Sequence, residues 1–245
     1  MDDIQTQPLP PLPAPQRVLV IMAHPDDPEF GAGGTVALLA RQGAKVTYVV
    51  VTDGSKGSED ASFTHNTLFQ TRQQEQRNAA AVLGVDDVHF LGFPDGQIYN
   101  NEELREALVR QIRLHRPDIL ITHDPTTRFW RGTRINHPDH RAVGDTALDA
   151  VYPLARDRLN FLTHEEEGLQ PFKVLDVLLT GTNEPNFVVD ISEVFDLKIR
   201  SICEHVSQIR DPEGLAERMQ GLAREMAAPY GVQAVESFRR VTLEG

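Results

Sequence analysis

Two short segments of this 245-residue chain gather side chains that bind metal ions and transfer protons. Residues 24–27 read His-Pro-Asp-Asp, directly after an apolar run, and residues 137–140 read His-Pro-Asp-His. Imidazole and carboxylate groups are ligands for zinc and related divalent ions, and both act as general acids or bases. Taken alone, each segment also fits an ordinary turn or helix start, because Pro fixes φ and Asp caps the turn.

The spacing within the two segments favours a shared site. His24 and Asp27 leave a strand in a loop that can turn both side chains toward one point, with Asp26 beside them as a candidate base. His137 and His140 lie three residues apart at a predicted helix start, so they share one face. His24, Asp27 and one of the two later histidines make three ligands, as in catalytic zinc sites that leave a position for water. Such a water has a pKa of about 7.

Alternating apolar strands and helices predict the framework that positions these segments. The predicted strands are Val18–Ala23, Lys45–Thr52, Val88–Leu91, Asp118–Thr122, Val174–Thr180 and Phe187–Val189. The predicted helices are Gly33–Gln42, Thr71–Leu83, Glu102–His115, Pro138–Leu154, Ser192–Ile209 and Pro212–Ala227. This order predicts a single doubly wound α/β domain, residues 17–245, with a mostly parallel sheet and helices on both faces. Residues 1–16 form a proline-rich N-terminal arm.

Ligands of open α/β sheets bind at the carboxyl ends of the strands. Both His/Asp segments follow predicted strands there, as do three long polar loops. Those loops are Asp53–Gln70, Pro94–Asn101 and His123–Asn136. We therefore expect the two segments and the loops to share one rim.

These motifs resemble those of PIG-L/LmbE-like zinc deacetylases. Residues 23–27, followed by Glu29 and a glycine-rich helix start, are similar to the family's first motif, and residues 137–144 are similar to its second. Lesser similarities occur at residues 52–54, 72–80, 91–96, 198 and 205–208, so the resemblance spans Arg17 to Gln208. The sequence departs from the family at Pro28, which displaces the usual glutamate, so that Glu29 comes one place late.

The resemblance implies a Rossmann-like fold and a zinc-dependent N-deacetylase acting on N-acetylglucosamine conjugates. By position it implies that one Zn²⁺, or another divalent transition metal, is held by His24, Asp27 and His140. It implies that Asp26 is the general base and that His137 stabilises the oxyanion or protonates the leaving amine. The positions implied to hold the substrate are Arg72 and Asp95.

Composition limits the partners of the protein. With 24 Lys and Arg against 36 Asp and Glu, the net charge of -12 argues against nucleic-acid binding. No apolar run approaches the length of a membrane span, and the acidic first residues are unlike the basic start of a signal peptide. Cys203 is the single cysteine, so a disulfide within the chain is excluded. We expect a cytoplasmic protein without membrane insertion that acts on a small amino-sugar conjugate. The proline arm also suggests contacts between subunits of a homo-oligomer.

Two other functions fit parts of the sequence. Gly31, Gly33 and Gly34 suggest a dinucleotide-binding oxidoreductase, with Asp53 as the ribose ligand, but Val36 stands where the fingerprint needs glycine. A non-catalytic protein that binds metal or sugar is the second alternative.

An aromatic and basic loop precedes the second motif and fits a sugar contact, a subunit contact or a plain surface loop. Its residues are Arg128, Phe129, Trp130, Arg131 and Arg134. Elsewhere, Cys203 and His205 fit structural roles, and His123 stands at a strand end near the rim.

Overall fold

The computed structural model describes residues 7–130 and 132–244, and within them one large sheet organises the chain. Seven strands have the order β3-β2-β1-β4-β7-β9-β8, and a separate pair is β5-β6. The strands are β1 (Arg17–Met22), β2 (Lys45–Thr52), β3 (Asp87–Phe93), β4 (Ile119–His123), β5 (Phe129–Trp130), β6 (Arg134–Ile135), β7 (Asp176–Thr180), β8 (Phe187–Asp190) and β9 (Val235–Thr242). The pairs β1–β2, β1–β4, β2–β3 and β4–β7 are parallel.

Helices cover both faces of the sheet. They are α1 (Asp27–Arg41), α2 (His65–Val82), α3 (Glu102–His115), α4 (Pro138–Asp149), α5 (Thr163–Glu166), α6 (Phe195–Cys203) and α7 (Pro212–Ala227). On one face, Val20 of β1 shares a core with Val36 of α1, and on the other, Ile21 shares a core with Leu108 of α3. The predicted fold class, a mostly parallel α/β sheet with helices on both faces, is confirmed.

The structure corrects several predicted elements. The first helix begins at Asp27 rather than Gly33, and the second at His65 rather than Thr71. The predicted helix Pro138–Leu154 is regular only to Asp149, because Pro153 has no N–H to donate and Tyr152 leaves helical φ and ψ. The predicted helix Ser192–Ile209 is regular only over Phe195–Cys203.

Strand β9 was not predicted, although it pairs antiparallel with both β7 and β8. Its sequence, Val-Glu-Ser-Phe-Arg-Arg-Val-Thr, contains three charged residues and lacks the continuous apolar run of the parallel strands. Those charges have partners in the fold, since Arg240 pairs with Asp176 and Glu236 with Lys198.

The described part of the N-terminal arm lies against its own chain. The Gln7 N–H donates to the Pro229 carbonyl oxygen at 3.0 Å, and Leu9 and Leu12 pack against core residues. Residues 1–6 of the predicted arm lie outside the described residues, and the boundary between arm and domain stays a prediction. In the described part of the chain, no helix has both the length and the apolar composition needed to cross a membrane.

A buried ion pair holds α1, the helix that follows the first His/Asp segment. The Glu236 carboxylate accepts from the N–H groups of Gly34 at 2.8 Å and Thr35 at 2.7 Å, in the middle of the helix. The Lys198 ammonium lies 2.5 Å from Glu236 and donates to the Phe30 carbonyl oxygen at 2.9 Å. Gly34 also packs closely, since a Cβ there would lie 2.7 Å from Ile191. These contacts fix α1 against β9 and α6.

Breaking this pair should destabilise the fold. We expect Lys198→Met to lower the free energy of unfolding by about 3–5 kcal/mol, because it leaves a buried carboxylate without its cation. Urea denaturation measures the change. The control is Lys45→Met, which removes an exposed ion pair with Asp87 and should cost at most about 1 kcal/mol. Equal costs in the two variants would contradict a role for Lys198 in holding α1.

Candidate active site and metal centre

His24 lies just beyond β1, with its ring among three carboxylates. Its Nδ1 lies 3.2 Å from Asp27 Oδ2, and its Nε2 lies 3.3 Å from both Asp95 Oδ1 and Asp139 Oδ2. Burial by itself lowers the pKa of His24, but the hydrogen bonds to Asp139, Asp27 and Asp95 raise it to about 12. The ring therefore presents one nitrogen to Asp27 and donates from the other to a carboxylate that holds its orientation.

Asp27, the first residue of α1, lies between imidazole rings from three parts of the chain. Besides His24, its Oδ1 lies 3.1 Å from His140 Nε2, and its Oδ2 lies 3.4 Å from His123 Nε2. Burial raises the pKa of Asp27, but His140 and His123 outweigh it and hold that pKa well below the usual range. Two of the implied ligands, His24 and His140, therefore each lie against the carboxylate of the third, Asp27.

The donor set fits a divalent metal. Three overlapping groups have ligand atoms within 4.8 Å of one another: His24 with His137 and His140, Asp27 with His123 and His140, and His24 with Asp95 and Asp139. Nitrogen and oxygen donors of this kind suit zinc, iron and other transition ions. In addition, the buried Asp139 Oδ1 has no hydrogen-bond partner among the described residues.

His123 completes the group around Asp27, yet its contacts favour a supporting position. Its Nε2 accepts from the Ala23 N–H at 3.1 Å, which occupies the lone pair a metal would need. Burial, followed by repulsion from His140, lowers the pKa of His123 to about 4, so the ring is neutral at pH 7. Its ring stacks on His140 with centroids 4.1 Å apart. Sequence reasoning placed His123 at the rim but not against Asp27.

Asp26 precedes α1 in a left-handed backbone conformation, with φ of 96°. Arg72 Nη2 donates to its Oδ2 at 3.2 Å, and the Gln76 Oε1 accepts from its backbone N–H at 2.9 Å. Burial raises the pKa of Asp26, while Arg72 opposes that shift. A carboxylate with these neighbours is suited to accept a proton at neutral pH.

Arg72 is 4% exposed and has its partners inside the protein. Beyond Asp26, it donates to the carbonyl oxygens of Gly54 at 2.9 Å and Pro25 at 2.5 Å. Its observed contacts therefore orient the loop that carries Asp26. The predicted contact of Arg72 with substrate stays a prediction.

His137 caps the start of α4 and faces the same centre. Its ring lies edge-on to His24 with centroids 4.6 Å apart, and its Nδ1 accepts from the Asp139 N–H at 3.2 Å. Burial, followed by the charge of His24, lowers the pKa of His137. With Nδ1 accepting, the proton of the neutral ring sits on Nε2, where it can be donated to a ligand.

Asp95 and Asp139 bound the site on the far side of His24. The Lys56 N–H donates to Asp95 Oδ2 at 2.9 Å, and the Gly96 N–H donates to Asp139 Oδ2 at 2.7 Å. Burial raises the pKa of Asp95, but hydrogen bonds from His24 and the Lys56 N–H lower it to about 2. The second motif contained Asp139, but sequence reasoning assigned it no role. Its position between two histidines in that motif was the available signal.

Glu29 and His205 form a buried pair beside the site rather than in it. Both side chains are fully buried, and His205 Nε2 lies 3.1 Å from Glu29 Oε2. His205 thus has the structural contact expected of it, and Glu29, displaced one place by Pro28, contacts the protein interior. The glycines of α1 also pack internally, since a Cβ on Gly31 would lie 3.1 Å from Thr180 Oγ1. That packing disfavours a dinucleotide phosphate at this helix.

The aromatic loop forms the β5-β6 hairpin. Trp130 packs over Gly181, while Phe129 is exposed. Arg131 of this loop lies outside the described residues.

Comparison with known proteins decides the family. A family model described as "PIG-L: GlcNAc-PI de-N-acetylase" matches residues 19–151. The chain is also 35% identical over 216 residues to diacetylchitobiose deacetylase of Thermococcus kodakarensis. The aligned region covers 88% of this chain and 78% of that protein. The chain belongs to the PIG-L family. This confirms the family resemblance found in the sequence motifs.

Two further deacetylases are similar to this chain over most of its length. A probable N-acetyl-alpha-D-glucosaminyl L-malate deacetylase 2 of Bacillus cereus is 30% identical over 201 residues, covering 79% of this chain and 84% of that protein. The solved structure of N,N'-diacetylchitobiose deacetylase from Pyrococcus horikoshii, in complex with an inhibitor, superposes with a TM-score of 0.86 and 31% identity. It covers 93% of this chain and 84% of that one.

Asp139 should affect metal affinity through His24. We expect Asp139→Asn to weaken zinc binding about 10–100-fold, because His24 loses one of the two carboxylates that lie against its Nε2 and orient its ring. Competition with a chromogenic chelator measures the affinity. The control is Asp145→Asn on the exposed side of the same helix, where Asp145 contacts Asn100. Unchanged affinity in Asp139→Asn would show that Asp139 does not orient a ligand.

Proposed function

We propose that this protein is a metal-dependent hydrolase that removes the N-acetyl group from N-acetylglucosamine-type conjugates, with a single Zn²⁺ per chain. The observation that carries the proposal is the contact of Asp27 with His24 and His140, at 3.2 and 3.1 Å, directly beside Asp26 and His137.

The proposed metal ligands are His24, Asp27 and His140. The bound metal would supply Lewis acidity, polarising the acetyl carbonyl and lowering the pKa of a water to about 7. His24 follows β1, Asp27 begins α1 and His140 lies in the first turn of α4, so the fold itself sets their separation. Iron or another divalent ion suits the same nitrogen and oxygen donors.

The proposed catalytic residues are Asp26 and His137. Asp26 takes a proton from the attacking water and passes one to the departing nitrogen, which an amide needs because its amine is a poor leaving group. Arg72 holds the Asp26 carboxylate in place for both transfers. His137, with Nδ1 already accepting from the Asp139 N–H, donates from Nε2 to the oxygen that gains negative charge.

The substrate class follows from the relatives. Two of them are named for deacetylation of diacetylchitobiose and of an N-acetylglucosaminyl malate. Asp95, its pKa lowered to about 2, stays ionised and offers an acceptor for a sugar hydroxyl or the amide N–H. We propose Asp95 and Arg72 as substrate-binding residues and an acetylated amino-sugar conjugate as the substrate.

Substitution of the two adjacent aspartates should separate catalysis from metal binding. We expect Asp26→Ala to keep a stoichiometric amount of zinc but lose about 10²–10⁴-fold in kcat, the usual contribution of a general base. Asp27→Ala should lose both metal and activity. Elemental analysis and acetate release are measured on the same preparations, with exposed Asp86→Ala as the control. A metal-free Asp26→Ala would move Asp26 into the ligand set.

Metal removal should abolish hydrolysis reversibly. We expect dialysis against a chelator to stop acetate release from N-acetylglucosamine and N,N'-diacetylchitobiose, and added zinc to restore it, because the metal supplies the Lewis acid. Acetate and free amine should form in equal amounts. Metal-loaded protein that releases no acetate from any N-acetylated amino sugar would favour a non-catalytic binding protein instead.

A further inference from the structure

The backbone of Asp26 adopts a conformation that an aspartate seldom takes. Its φ of 96° lies in the left-handed region that favours glycine, and such residues persist only where surrounding contacts hold them. Only two other described residues apart from glycine, Arg116 and Phe161, have positive φ. Something must therefore stabilise this turn.

Gln76 of α2 supplies the contact to the Asp26 backbone. Its Oε1 accepts from the Asp26 N–H at 2.9 Å, and its Nε2 donates to Glu29 Oε1 at 2.8 Å. The carboxylate of Glu29 can only accept when ionised, so it must face the amide nitrogen of Gln76, which leaves the oxygen for Asp26. Gln76 is 0% exposed, so neither bond competes with bulk water.

The network is anchored at its far end as well. Glu29 Oε2 lies 3.1 Å from His205 Nε2, in the turn that follows α6. That turn is held to α2, because Glu75 accepts from the Ser207 N–H and Oγ–H, both at 2.7 Å. The position of Gln76 is therefore set by α1, α2 and the turn after α6 together.

We propose that Gln76 is a positioning residue for the reaction: it holds the Asp26 backbone in the left-handed conformation and thereby aims the Asp26 carboxylate at the metal centre. Arg72 holds the Asp26 carboxylate and the Pro25 carbonyl oxygen, whereas Gln76 holds the Asp26 N–H on the other side of the same peptide group and touches no reacting atom. The inference rests on the proposed function, in which Asp26 is the general base. The ligands His24 and Asp27 have contacts of their own with Asp139 and His140, so the metal does not depend on Gln76.

The first test replaces Gln76 with a side chain of similar length that cannot hydrogen-bond. We expect Gln76→Met to lower kcat about 10–100-fold, since a small misplacement of a reacting group costs up to about 100-fold. KM should stay within about twofold, and zinc content should not change. Gln74→Met, on the exposed side of α2, is the matched control. Wild-type kcat in Gln76→Met would overturn the proposal.

Gln76→Glu separates the two hydrogen bonds. It keeps an oxygen for the Asp26 N–H, but it loses the donor to Glu29 and puts a second carboxylate beside that one. The like-charge contact is absent in the Glu29→Gln background, so Gln76→Glu should there retain more of kcat than Gln76→Met. Equal losses in that background would overturn the proposal. If Gln76→Met does not melt cooperatively, Gln76→Asn takes its place, because its amide is one methylene shorter and cannot reach both partners.

A double-mutant cycle shows whether Gln76 acts through Asp26. In the Asp26→Asn background, adding Gln76→Met should slow acetate release no further, because residues that act as one unit are not additive. A further slowing by the same factor as in the wild type would mean a general structural role and overturn the inference. The proposed function fails separately, if Asp26→Asn itself keeps wild-type activity. A slow Asp26→Asn beside an unaffected Gln76→Met overturns only the inference.

Discussion

A carboxylate that is withdrawn from water must find charged or hydrogen-bonding partners, and Asp27 finds them in the imidazoles of His24 and His140, with the ring of His123 packed beside them. These rings come from the loop after β1, the end of β4 and the first turn of α4. Parallel strands make this meeting possible, because their carboxyl ends all open on the same edge of the sheet. The rest of the site is arranged around that carboxylate.

The helix that begins at Asp27 is held from three sides. Its first turn carries Asp27 and Glu29, and acidic side chains there interact favourably with the positive end of the helix dipole. The buried pair of Lys198 and Glu236 binds the backbone of the helix. Glu236 accepts from two of its N–H groups, and Lys198 donates to one of its carbonyl oxygens. Gln76 fixes the residue just before it. These contacts together keep the Asp27 carboxylate, and Asp26 just before it, at the buried centre.

Family and fold do not carry equal information about chemistry. A doubly wound sheet hosts many reactions, so the fold alone leaves the activity open. The arrangement of His and Asp groups narrows it, because a carboxylate between imidazoles suits a metal ion, and a second carboxylate beside it suits proton transfer. Two relatives of the chain are themselves named as deacetylases of diacetylchitobiose and of an N-acetylglucosaminyl malate, which supports the substrate class proposed above.

The sequence by itself determined the fold class, the family and the grouping of both His/Asp segments at one edge. Continuous apolar runs such as that of β1 indicate strands buried on both faces of the sheet. The family motifs are short and contiguous, so they can be recognised without the tertiary structure. Sequence patterns could not show β9, because its charges find partners only in the folded protein. They also missed the contacts of His123, Asp139 and Gln76. Those contacts join residues about 40 to 115 positions apart, and only packing of the helices on the sheet brings such atoms within 3.5 Å.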